Sequence, residues 1–189
     1  MTRRLLLDKQ KLEITLKRLC FQLLENHEGL NNTVIIGLQP RGVFLARRIV
    51  RLLKDILNTD QIAAGELDVT FYRDDFRRRE IVTPSATKMD LTIEGKNVIL
   101  LDDVLYTGRT IRAGMDALID FGRPSKVELM VLVDRRYSRQ LPIAPDYIGI
   151  SVDTITSEKV NVCWQDADTE EGIWLLEQAA STNQTSNRS

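Results

Sequence analysis

Asp102 and Asp103 stand side by side after the apolar run Val98-Ile99-Leu100-Leu101, and Tyr106-Thr107-Gly108-Arg109-Thr110 follows after Val104 and Leu105. Adjacent carboxylates do not serve a phosphate, because like charges repel. They suit ribose hydroxyls, which donate hydrogen bonds, or the waters around a magnesium ion. The small-residue loop opens directly into a helical pattern, where unpaired backbone N–H groups and the helix dipole favour a phosphate monoester. Gly108 lets the backbone approach a ligand closely, and the Thr107 and Thr110 hydroxyls add donors. Hydroxyl and phosphate recognition one loop apart describe a site for a sugar that carries phosphate. Arg41, just beyond another apolar run, would hold a second anionic group.

These groups meet only if each apolar run is a strand delivering its end to one edge of a sheet, since open α/β sheets bind ligands beyond the carboxyl ends of their strands. Residues 97–101 read as the start of a strand buried on both faces, and the helix after it spans about 110–121, with Ile111, Met115, Leu118 and Ile119 inward. Gly122 and Pro124 stop that helix. Leu12, Leu16, Leu19 and Leu23 recur at helical spacing and predict an amphipathic helix over about 8–27, capped by Asp8. A β-branched strand over 33–38, a turn at 39–42 and a helix over about 43–57 follow. Further strands are expected at 67–71 and 127–133, with weaker ones at 147–152 and 160–164. Residues 73 to about 90 carry charge and Pro84 without apolar periodicity, and a loop that long inside a domain is usually functional or disordered. The polar stretch 181–189 reads as a frayed tail. Strands alternating with helices predict an α/β fold with a mostly parallel sheet flanked by helices.

The bulk properties agree with one soluble domain over residues 1–180. The chain has 189 residues, 43% hydrophobic and 28% charged, and its 26 Lys+Arg nearly balance 27 Asp+Glu, so the totals announce no basic nucleic-acid surface. Cys20 and Cys163 have no metal-ligand spacing, and with His27 the single histidine a zinc site is not indicated. Free thiols, no signal peptide and no membrane span are expected, which places the protein in the cytoplasm.

The stretch Asp-Asp-Val-Leu-Tyr-Thr-Gly-Arg-Thr at 102–110 resembles the phosphoribosyl diphosphate signature of type I phosphoribosyltransferases. With Tyr72-Arg73-Asp74-Asp75, Val131-Leu132-Val133-Asp134-Arg135, Leu141-Pro142-Ile143, Asp146-Tyr147-Ile148-Gly149 and Ser157-Glu158-Lys159-Val160, the chain looks more narrowly like the PyrR family from about residue 7 to 164. Members of that family are pyrimidine operon attenuation regulators that are also uracil phosphoribosyltransferases. The resemblance implies a single-domain type I phosphoribosyltransferase fold with a small hood at about 146–164 and a flexible lid at about 73–90. It implies that uracil and phosphoribosyl diphosphate give uridine monophosphate (UMP) and diphosphate, with magnesium held through the substrate and through Asp102 or Asp103 by way of water. Such chemistry needs no nucleophilic side chain, only positioning and charge stabilisation of an oxocarbenium-like centre. By the resemblance, Asp102 and Asp103 take the ribose hydroxyls, Tyr106, Thr107, Gly108, Arg109 and Thr110 the 5′-phosphate, and Arg41 the diphosphate. Gln39, Pro40, Gly42, Arg73 and Asp134 also fall among the substrate-binding positions, with Arg77, Arg78 and Lys88 as lid contacts. Tyr147 and Ile148 are expected to recognise the base through backbone. Purine enzymes of this superfamily place a carboxylate where this chain has Tyr106, which favours a pyrimidine.

The family also implies an RNA partner, the pyrimidine operon leader mRNA, and a homodimer or larger homo-oligomer. Lys17, Arg18, Arg136 and Arg139 are the candidate RNA contacts, since cations supply most RNA affinity. That face is depleted here: Phe21 replaces an expected histidine, Asn26, Glu28 and Ile150 stand where basic residues are expected, and one residue is inserted around 136–139. Catalysis is therefore expected to be retained over RNA attenuation. The alternatives are an RNA-binding regulator that only senses uridine nucleotides, and a purine phosphoribosyltransferase.

Overall fold

Asp8 accepts a hydrogen bond from the Lys11 N–H at 2.8 Å and starts α1 (Lys9–Asn26), whose Leu12, Leu16, Leu19 and Leu23 are all buried. The computed structural model describes residues 3–73, 87–89, 91–154 and 158–177. The expected tail, Arg77, Arg78 and most of the expected lid lie outside these residues.

Five strands form one wholly parallel sheet in the order β3-β2-β4-β5-β6: β2 (Thr33–Leu38), β3 (Ala64–Leu67), β4 (Asn97–Leu105), β5 (Lys126–Arg136) and β6 (Tyr147–Asp153). Helices α1 and α2 (Gly42–Leu57) pack on one face against Ile35, Ile99, Leu101, Met130 and Leu132. Helix α3 (Arg109–Leu118) packs on the other against Val34, Ile36, Val98, Leu100 and Val131. Each central strand is thus apolar on both faces, as parallel strands covered by crossover helices must be. A second, antiparallel sheet has the order β1-β8-β7, from β1 (Arg3–Leu7), β7 (Glu158–Cys163) and β8 (Gly172–Glu177). Its Val160, Val162, Ile173 and Leu175, with Trp164 just after β7, join the core under α1 and α2.

Several expectations are corrected. Of the small hood expected at about 146–164, β7 does belong to this second sheet, but β6 pairs with β5 inside the main sheet, and β1 and β8 complete the hood instead. The strand expected at 67–71 lies at Ala64–Leu67, and Thr70–Tyr72 is a short 3-10 turn. Helix α3 gives way at Ile119 to a second such turn, and Ile119 is 75% exposed and Met115, within the helix, 40% exposed instead of inward. Both cysteines are free and buried.

Candidate active site

The acidic pair lies inside β4, not beyond it, because β5 continues to pair with β4 through Leu105 while β2 pairing stops at Leu101. Successive strand residues point to opposite faces, so the two carboxylates diverge. Asp103 turns toward the hood and accepts from Arg41 Nε at 3.1 Å. Asp102 accepts the Asp103 N–H at 2.9 Å and feels the Arg73 charge. Both are buried. Burial, followed by the charge of Asp103, pushes Asp102 well above the ordinary carboxylate range. Burial also raises Asp103, although the hydrogen bond and charge of Arg41 oppose it. Bound cations or hydroxyl donors would draw both back toward the ionised form.

The turn after β2 delivers Arg41. It holds Gln39 and a cis bond to Pro40, and it crosses β4 so closely that a Cβ on Gly42 would sit 2.3 Å from the Leu101 carbonyl oxygen. Arg41 links core to hood: besides Asp103 it reaches the Val162 carbonyl of β7 and, at 3.5 Å, Asp168. Burial works against its charge, but the bonds and charges of Asp103 and Asp168 outweigh that and raise its pKa.

After Leu105 the chain turns through residues 106–108 into α3, with Gly108 at φ 90° as the N-cap. Glycine is required there by conformation, and a Cβ would lie 3.2 Å from Ile143. Tyr106, Thr107, Gly108, Arg109 and Thr110 line a cavity of about 360 Å³ with Arg73 and Val104. Arg73 donates to Thr110 Oγ1 at 2.8 Å and closes one side. The sequence-derived phosphate loop, Arg73 and the acidic pair are therefore brought to one sheet edge with Arg41.

Other positions fall elsewhere. Tyr147 and Ile148 begin β6, two strands from β4, where the register sets Tyr147 beside Met130 and Ile148 beside Val131, the partner of Asp102. The Tyr147 hydroxyl donates to Glu128 at 3.1 Å and accepts from Asn26, in a buried cluster that also holds His27. Their expected role at the base is corrected, because the Tyr147 side chain is held in that cluster and the Ile148 carbonyl accepts from Arg18 at 3.0 Å. Lys88 bridges to Glu66 on β3 instead of facing the acidic pair. Asp134 is at the site edge, but its carboxylate is engaged by Arg139. Arg135, read from the sequence only as part of a basic patch with Arg136 and Arg139, is instead buried, donates to Thr154 Oγ1 at 2.9 Å and to the Glu158 carbonyl at 2.8 Å, and lies over the Tyr106 ring at 4.1 Å. The Asp134-Arg135 pair was the one signal of that placement.

The phosphoribosyl transferase domain family matches residues 4–167. The protein is 44% identical over 174 residues to Bifunctional protein PyrR of Elusimicrobium minutum, covering 92% of this chain and 96% of that one. It is 41% identical over 177 residues to Bifunctional protein PyrR of Bacillus subtilis, covering 91% and 96%. The chain belongs to the PyrR family of phosphoribosyltransferases. Its fold also matches a hypoxanthine-guanine phosphoribosyltransferase of Bacillus anthracis, with TM-score 0.70 at 20% identity over 92% of this chain and 98% of that chain. A hypoxanthine phosphoribosyltransferase of Trypanosoma cruzi gives TM-score 0.70 at 18% identity, over 93% and 97%. At these identities the likeness is one of fold. Among the described residues no helix is long and apolar enough to cross a membrane.

Proposed function

We propose that this chain transfers the phosphoribosyl group of phosphoribosyl diphosphate to uracil, releasing diphosphate and UMP. The observation that carries this reading is the buried Asp102-Asp103 pair, with Asp103 on Arg41, one loop before the cavity at the N-terminus of α3. Asp102 and Asp103 would hold the ribose hydroxyls, residues 106–110 and Arg73 the 5′-phosphate, and Arg41 the diphosphate, exchanging its Asp103 and Asp168 contacts for substrate. The backbone of β7, which Arg41 already reaches at Val162, replaces residues 147–148 as the base-facing edge. Tyr106, where purine enzymes carry a carboxylate, supports a pyrimidine base.

Magnesium fits this site as a shared ion. Among the described residues no three acidic, histidine or cysteine side chains converge as a metal cage, so the ion would be held through substrate oxygens and by Asp102 or Asp103 by way of water. When bound it would neutralise charge on the departing diphosphate.

The test is steady-state formation of UMP from uracil. Arg41→Ala combined with Asp103→Asn should lower kcat/KM by at least two orders of magnitude, as loss of charge stabilisation does; an unchanged rate would sink the site assignment. Product from hypoxanthine or guanine would instead mark a purine enzyme.

A second role, UMP-responsive attenuation through leader mRNA, is favoured by the relatives' name of bifunctional protein. Against it, Lys17 pairs with Glu13, Arg18 donates to the Ile148 and Gly149 carbonyls of β6, and Arg136 pairs with Asp153. Exposed Ile14 and Phe21 share that helix face. Titration of leader RNA with and without UMP decides it: salt-insensitive or absent binding removes the role, whereas tight binding without UMP synthesis makes the protein a sensor.

A further inference from the structure

The segment leaving β5 wraps the phosphate loop, and Arg139 is at its centre. Its guanidinium donates to the Asp134 carboxylate and to the Tyr106 backbone carbonyl. Asp134 is buried and lies opposite Leu105 in the β4–β5 register, which anchors it beside the strand that feeds the loop. The Gln140 and Leu141 N–H groups donate to the Thr107 carbonyl at 3.0 and 3.3 Å, and Gln140 Oε1 accepts from Arg109 Nε at 2.9 Å. Tyr137, at φ 65°, turns the chain back toward these contacts. That left-handed conformation is unfavourable for a bulky residue, so the surrounding structure must impose it.

These contacts aim the loop's donors. In a trans peptide the C=O and the following N–H point in opposite directions. With the Tyr106 carbonyl turned to Arg139 and the Thr107 carbonyl turned to Gln140 and Leu141, the N–H groups of Thr107 and Gly108 point away from that segment. The cavity is lined by the loop, Arg73 and Val104, and not by residues 139–141.

We infer that Arg139, braced by Asp134, is a positioning residue that orients the phosphate-loop peptides toward the substrate, and that it is not a nucleic-acid contact. Its side chain is 22% exposed and is already committed to two acceptors. The inference rests on the phosphoribosyl-transfer reading and gives Arg139 a role there that the sequence did not suggest.

The experiment compares wild type, Arg139→Gln, Arg139→Lys and Asp134→Asn with Arg139→Gln. Calorimetric binding of ribose 5-phosphate is measured alongside KM and kcat for phosphoribosyl diphosphate and thermal melting. Arg139→Gln should weaken ribose 5-phosphate binding and raise KM on the order of tenfold, the scale of a small misplacement of binding groups. At saturating substrate kcat should change far less, with melting nearly unmoved. Arg139→Lys should recover part of the affinity, and the double variant should be no weaker than Arg139→Gln, because the pair acts as one unit. Wild-type affinity in Arg139→Gln would overturn the inference. So would intact phosphate binding with lowered leader-RNA affinity and a shallower salt slope, which would mark an RNA contact. Wild type that binds ribose 5-phosphate but forms no UMP refutes the uracil reading alone, and wild type that binds no ribose 5-phosphate refutes both.

Discussion

Asp102 stores a cost that the fold accepts for the sake of the site. Its carboxyl is raised by burial first and by the Asp103 charge second. A raised carboxyl binds its proton more tightly folded than unfolded, so below the unfolded value of about 3.9 the group is neutral in both states and costs nothing. As pH rises past that value the unfolded state ionises first, and stability is lost. Asp102→Asn should therefore raise the melting temperature at pH 7 by about 2–4 °C, the scale of ~1 kcal/mol in a chain of this size. The gain should vanish below about pH 3.9, while UMP formation falls at least a hundredfold. Melts at both pH values and a rate assay check this, and a lower melting point at pH 7 would contradict it. The pair was legible in the sequence because two adjacent carboxylates after four buried residues have few other uses. That they point to opposite faces was legible only once the strand was seen to continue through them.

At the scale of the elements, the β2–α2 turn and the β4–α3 loop make the site by crossing closely over their neighbours. Gly42 tolerates no side chain, since a Cβ would lie 2.3 Å from a backbone oxygen that cannot swing aside. Gly42→Ala should cost about 3 kcal/mol, the upper range for overpacking, read as a lower urea midpoint with an unchanged slope. Wild-type stability would show that the turn can move. The turn was readable from Gln-Pro-Arg-Gly, and α1 from its leucines and Asp8. Residues 147–148 were misplaced because a strand's apolar pattern does not say which distant groups its side chains and carbonyls will meet, here Glu128, Asn26 and Arg18.

The whole molecule is closed by contacts between distant parts of the chain. β1 pairs with β8, and His27 at the end of α1 meets Glu128 of β5 at 2.5 Å, with both side chains buried. Burial would raise Glu128, but hydrogen bonds from Lys126, His27 and Tyr147 outweigh it and lower its pKa. A lowered carboxyl contributes stability above its unfolded value of about 4.3 and loses it as pH falls through the folded value. Glu128→Gln should cost about 2 kcal/mol in urea unfolding at pH 7, the scale of hydrogen bonds to a buried charged acceptor. The difference from wild type should shrink in acid, and an equal difference at pH 7 and in acid would refute the linkage.

The sequence by itself determined the alternating α/β order, the buried strands, the α1 cap and the acidic pair with its phosphate loop. Each is written in neighbouring residues, where periodicity and turn chemistry act over a few positions. Only the tertiary structure decided that the hood is built from both ends of the chain, that Arg41 ties it to Asp103, and that Arg139 serves the phosphate loop. Those facts depend on pairings between residues far apart in sequence, which no local pattern encodes. The segment around Asp102 and Asp103 thus carries the motif on which the proposed site rests, and the packing of β1, β5, β7 and β8 decided which side chains surround it.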